Sequence, residues 1–265
     1  MNKFFETLSK SIKKKNSNLC VGLDPRPALF PEEFKTENDP IFAFNKTVID
    51  ATISSACAYK PNFAFYEKAG VAGIEALRKT VQYIPEDTPV IADAKRGDIG
   101  STAEAYADAV FEYFGCDGVT LNPFLGWESV SPFLKFEDRG LFILCLTSNA
   151  GCEDFQIPGK LYLQIAEKFM QWNTAENCGL VVGATRPEYI TEIRTAAPSL
   201  YFLIPGIGAQ GGDLESVIPR AEMPDGNGYI VNVSRGISQT KEPGDLKTRL
   251  KNASENFAKQ INEAK

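Results

Sequence analysis

The run Asp93-Ala94-Lys95-Arg96-Gly97-Asp98-Ile99 sets a carboxylate, an ammonium group and a second carboxylate directly after the apolar stretch Pro89-Val90-Ile91-Ala92. The chain contains no histidine, so proton transfer and charge stabilisation fall to lysine and aspartate. The apolar stretch predicts a short buried strand. Side chains two apart on a strand share a face, so Asp93 and Lys95 are expected to point the same way. Ser101 with Glu104 fits the S/T-x-x-E capping box, and the Ala-rich stretch over 103–110 predicts a helix, leaving Asp98 in the connecting loop. Taken alone, a D-x-K-x-x-D match is more often a solvated charged loop.

The elements that must position these groups are legible as apolar, β-branched segments over 19–23, 56–59, 90–92, 118–121, 141–146, 180–182, 201–204 and 229–233. Helical spacing fills many of the intervals, over 42–53, 66–83, 161–172 and 187–196, and a last helix is expected over 246–261. Such alternation in 265 residues with 43% hydrophobic content predicts an α/β fold, a (β/α)₈ TIM barrel forming one domain over 1–265. A doubly wound sheet alternates too, and the polar residues discriminate. Asp24, Lys60, Asp93 with Lys95, Asn122, Thr147 with Ser148, Gly206 and Arg235 each follow a strand. In a barrel those C-terminal ends converge on one mouth, whereas an open sheet spreads them along an edge.

A net charge of -6 argues against nucleic acid or an anionic membrane as the principal partner. The N-terminus reads as an amphipathic helix with Lys3, Lys10 and Lys13 to Lys15 and has no apolar core of a signal peptide, and the longest apolar run, over 141–146, is far too short to span a bilayer. A cytoplasmic location is the expectation. Six cysteines, Cys20, Cys57, Cys116, Cys145, Cys152 and Cys178, lack C-x-x-C spacing and read as buried, reduced residues. With no histidine and no cysteine cluster, neither a zinc site nor a histidine-activated nucleophile is expected, and no metal ligand is assigned.

Gly206-Ile207-Gly208-Ala209-Gln210-Gly211 matches G-x-G-x-x-G, but a dinucleotide fingerprint belongs in the first βα unit and this one follows the seventh strand. In a barrel, the loops after strands seven and eight commonly hold phosphate through backbone N–H groups. Ser234-Arg235-Gly236 adds a guanidinium suited to bidentate phosphate binding, so a monophosphate ligand is expected. Arg96-Gly97-Asp98 is also an adhesion tripeptide, read here as coincidence.

Together these pieces resemble the orotidine 5'-monophosphate decarboxylases, in their longer bacterial-type branch (type 2). The resemblance spans the chain: Val21-Gly22-Leu23-Asp24, Tyr59-Lys60-Pro61-Asn62, the run from Asp93 to Ile99, Leu146-Thr147-Ser148-Asn149, Pro205-Gly206-Ile207-Gly208-Ala209-Gln210-Gly211-Gly212-Asp213 and Ser234-Arg235-Gly236. It implies conversion of orotidine 5'-monophosphate to uridine 5'-monophosphate in pyrimidine synthesis, without cofactor, through a C6 carbanion protonated by Lys95. It implies Asp24 on the ribose hydroxyls and Lys60, Asp93 and Lys95 as an alternating charge array. Asp98, a fourth catalytic residue, would enter with Ile99 and Thr102 from the partner subunit of a homodimer with shared sites. Ser148 would meet the pyrimidine amide edge, Pro205 would line the pocket, and Gln210 and Arg235, with Ser234 beside them, would hold the phosphate. Three rivals stay open: a Mg²⁺-dependent sugar-phosphate decarboxylase or synthase of the same barrel superfamily, a Schiff-base aldolase using Lys60 or Lys95, and a silent nucleotide-phosphate binding protein. The first would want an acidic metal ligand where the chain has Lys60.

Overall fold

Parallel strands covered on both faces must be apolar along their whole length, and the strands here are buried nearly throughout. A computed structural model describes residues 2–207 and 212–265. It contains β1 (Leu19–Leu23), β2 (Ala58–Pro61), β3 (Ile91–Arg96), β4 (Gly118–Leu121), β5 (Gly140–Leu146), β6 (Cys178–Val182), β7 (Tyr201–Pro205) and β8 (Tyr229–Val233). The order is β2-β1-β8-β7-β6-β5-β4-β3, with every pairing parallel. Between β2 and β3 the ring closes only through the bridges Tyr59↔Val90 and Asn62↔Asp93. This weakest seam of the barrel carries Lys60 on one side and Asp93 on the other.

Most strand and helix expectations hold within a residue or two, and three differ in ways that matter. β2 runs over Ala58–Pro61 and β3 over Ile91–Arg96, so Lys60, Asp93 and Lys95 lie within strands; backbone pairing fixes Lys60 against Gly22 and Asp93 against Asn62, while Lys95 sits where the register slips. The helix expected over 66–83 is two, Phe63–Glu67 and Gly70–Tyr83, because Gly70 takes a φ of 66° at the break. The capping box at Ser101 does not form. The helix Gly100–Asp108 has Ile99 rather than Ser101 as N-cap, two residues earlier, and Glu104 instead pairs with Lys135 at 2.8 Å.

Period-two alternation sorts the strands into two cores. Inward-facing Cys20, Ala58, Ile91, Phe142, Val181, Tyr201, Leu203 and Ile230 pack with Phe4, Phe5, Leu8 and Ile12 of the helix Lys3–Lys15, which plugs the N-terminal end of the barrel. Phe5 stacks on Tyr201 at 4.8 Å between centroids, and Phe4 meets Phe142 edge-on at 5.9 Å. Room for the Phe4 ring comes from the paired Gly118 and Gly140, where any Cβ would run into it. The outward-facing residues pack under the surrounding helices as the larger core. With the lower barrel filled among the described residues, the barrel opens toward its C-terminal mouth. No helix among the described residues is long and apolar enough to cross a membrane.

Candidate active site

A cavity of about 350 Å³ lies at that mouth. Around it the strand ends gather Asp24 after β1, Lys60 on β2, Asp93 and Lys95 on β3, Ser148 after β5, Pro205 and Gly206 at the end of β7, and Ser234 with Arg235 after β8. These residues span 212 positions of sequence, from 24 to 235, and the barrel brings them to one site. A larger cavity of about 570 Å³ at the opposite end is lined by Lys3, Glu86, Glu112, Asp117, Asp138 and Arg139 among others. There Arg139 pairs with Asp117 at 3.3 Å, which also accepts the Val90 N–H at 2.9 Å, so its polar groups answer one another rather than converge on a ligand.

At the centre of the mouth, Asp93 directs one carboxylate oxygen to Lys60 Nζ and the other to Lys95 Nζ. Lys60 is 4% exposed and Asp93 9%, while the Lys95 side chain is half open to the cavity. Burial alone pushes the Asp93 carboxyl up, but the Lys60 and Lys95 charges hold it well below the usual carboxylate range. Burial likewise disfavours the Lys60 ammonium, and Asp93 and Asp24 more than reverse that, raising it above an ordinary lysine. Asp93 and Lys60 are therefore both charged at neutral pH. A fourth side chain, Thr120, hydrogen-bonds to Asp93 Oδ1 at 3.2 Å.

On the β1 and β8 side, Asp24 Oδ1, Asn232 Oδ1 and Ser234 Oγ are buried without a hydrogen-bond partner among the described residues, and all three residues line the cavity. Buried polar atoms are rarely left so. Three together mark a surface made for a polar ligand. Across the mouth, the stretch over 151–160 folds back so that Gln156 Oε1 accepts the Thr147 N–H at 2.7 Å, fixing the loop that carries Ser148.

Asp98, Ile99 and Thr102 do not line the cavity of their own chain; Ile99 is 55% exposed, and Thr102 lies exposed on the helix Gly100–Asp108. Gln210 lies outside the described residues. Asn122 borders an adjoining apolar cavity instead. Arg96 bonds Glu67 at 2.6 Å and lies over the rings of Phe63 and Tyr106, so the Arg-Gly-Asp tripeptide does not present its arginine to solvent. Sequence reasoning missed Thr120 and Asn232, having looked only past the strand ends. Counting by twos from inward-facing Gly118 and Ile230 finds both.

Comparison with known proteins places the whole chain in one family. Residues 17–246 match the family model described as "Orotidine 5'-phosphate decarboxylase / HUMPS family". An orotidine 5'-phosphate decarboxylase of Dehalococcoides mccartyi is 44% identical over 268 residues, covering 98% of this chain and 97% of its own. One from Roseiflexus castenholzii is 46% identical over 267 residues, covering 98% of each. The solved structure of Leishmania donovani OMP decarboxylase superposes with a TM-score of 0.86 at 37% identity, over 99% of this chain and 98% of that one. With the barrel, its charged mouth and likeness along nearly its whole length in agreement, the chain belongs to the orotidine 5'-phosphate decarboxylase / HUMPS family.

Proposed function

We propose that the chain decarboxylates orotidine 5'-monophosphate to uridine 5'-monophosphate in pyrimidine synthesis. The observation that carries this reading is the Lys60–Asp93–Lys95 array, a buried carboxylate held ionised between two cations with one cation facing the cavity. Cleavage of the bond from C6 to the carboxylate leaves its electron pair in an sp² orbital that no adjacent carbonyl can delocalise. A fixed cation in a water-poor site is what such a carbanion needs. Lys95 stabilises the developing charge and then gives its N–H proton to C6, and solvent returns a proton to the amine. Asp93 keeps Lys95 in place and repels the substrate carboxylate in the ground state.

Asp24 takes the ribose hydroxyls and Ser148 the pyrimidine amide edge, Pro205 lines the pocket, and Ser234, Arg235 and Gln210 hold the phosphate. The unpartnered Asp24 and Ser234 atoms support the polar half of this assignment. We also infer a homodimer in which Asp98, Ile99 and Thr102 complete the partner's site, which accords with their position beside the mouth rather than in it. A cytoplasmic setting accords with six cysteines that are all free and buried. The sugar-phosphate chemistry that the family name also covers needs a divalent cation, and buried Lys60 opposes one at the second strand.

The test is loss of orotidine 5'-monophosphate absorbance in the presence of EDTA. Turnover is expected to persist. No turnover by the folded chain, or turnover abolished by chelation and restored by Mg²⁺, would overturn the reading.

A further inference from the structure

Thr120 joins the two residues on which the proposed chemistry depends. It sits on β4 and is 2% exposed. Its Oγ1 lies 3.0 Å from the backbone nitrogen of Lys95 and 3.2 Å from Asp93 Oδ1. The polarity of both bonds is forced. An amide N–H only donates and an ionised carboxylate only accepts, so the hydroxyl accepts from Lys95 and gives its single proton to Asp93.

The backbone held in this way is strained. Lys95 has a φ of 47°, a left-handed conformation that costs free energy in a residue with a side chain. The register of β3 against β4 also slips between Ala92 and Arg96. Such a bulge re-aims the side chain it carries and takes an amide out of the ladder. That amide then needs another acceptor, and Thr120 provides it. The oxygen of Asp93 that takes the Thr120 proton is also the one that meets Lys95 Nζ. One hydroxyl therefore fastens the lysine at its backbone and at its counterion.

We propose that Thr120 is a positioning residue: its hydroxyl locks the left-handed bulge at Lys95 and fixes the Asp93–Lys95 pair in the geometry that serves the reacting carbon. This rests on the decarboxylase reading of the cavity. Thr120 acts through Lys95, and remote misplacement of a catalytic group by about 1 Å costs roughly 100-fold in rate.

Thr120→Val keeps the shape and removes the hydroxyl, and Thr120→Ser keeps the hydroxyl. The valine variant should lose about 10- to 100-fold in kcat while KM changes by less than about threefold, since the loss falls in the transition state. The serine variant should recover most of the rate. Uridine 5'-monophosphate titrated by calorimetry should bind the valine variant with wild-type stoichiometry, whereas mere unfolding would lower stoichiometry and rate together. Thr120→Ala, equally without a hydroxyl, is read by the same criteria and covers failure of the valine variant to fold. A valine variant within about twofold of wild-type kcat, or a serine variant as slow as the valine one, overturns the proposal. Absence of turnover in the wild type would strike the decarboxylase reading instead. Crystal structures then decide this one: Lys95 should leave positive φ in the valine variant, and an unchanged Lys95 overturns it.

Discussion

At the scale of single residues, the mouth is defined by charges that would be costly alone. Asp93 is nine-tenths buried, and removing one member of a buried pair leaves the other uncompensated, a penalty of about 3–5 kcal/mol. Asp93→Asn should therefore lower unfolding stability by about that much at pH 7. The pH dependence follows from the directions of the shifts. Asp93 is depressed, so its contribution is full above the unfolded carboxylate value of about 3.9 and is lost as pH falls below it. Lys60 is raised, so its contribution is full below about 10.4 and is lost as pH rises past its higher folded value. Urea unfolding from pH 7 down to 3 should show the wild type losing stability below about pH 4 more steeply than Asp93→Asn. Parallel curves would mean that the pair is not the source. The residue types of this array were legible in the sequence because D-x-K after a strand needs no tertiary knowledge. The left-handed backbone at Lys95 was not, since nothing about lysine announces a positive φ and the bulge depends on where β4 lies.

Among the elements, the eight strands were readable from apolar runs because parallel barrel strands are buried on both faces. Their ends were less so: Pro61 and Arg96 read as loop residues, yet pairing with β1 and β4 keeps them in the sheet. The Ser101 motif failed because the chain was already helical at Gly100, leaving serine inside the first turn. Equally illegible was the reason for Gly118 and Gly140, which depends on a phenylalanine over a hundred residues away. Glycine usually weakens a strand, yet here alanine should be worse, because its Cβ meets the Phe4 ring. Gly140→Ala is expected to cost about 1–3 kcal/mol by overpacking, and far less when Phe4 is also alanine. Urea titration of the four proteins in that cycle checks the coupling. Equal costs in both backgrounds would place the strain elsewhere, and kcat should not change because the plug lies at the end opposite the mouth.

Across the whole molecule, the rim of the mouth is apolar on one side. Ile99 after β3, Phe124, Leu125 and Trp127 after β4 and Phe155 after β5 are 55, 81, 50, 46 and 74% exposed. Exposed apolar side chains gathered along one edge fit the homodimer proposed above. Asp98 and Thr102 flank Ile99 on this edge, so a second copy docked here would receive them at its own cavity, and no single chain would hold a complete site. Lys95→Ala removes the cation and the proton donor together, so its kcat should fall by far more than the 10²- to 10⁴-fold of general acid catalysis alone. Asp98→Asn should also be slow, through the neighbouring site. Mixing the two variants yields heterodimers in which one site carries both lesions and the other carries neither. Activity should then rise above that of either parent, toward one working site per heterodimer, as heterodimers isolated with two different tags are assayed. Heterodimers no more active than their parents would exclude the shared site, and near-normal turnover by Lys95→Ala alone would overturn the role of the array itself.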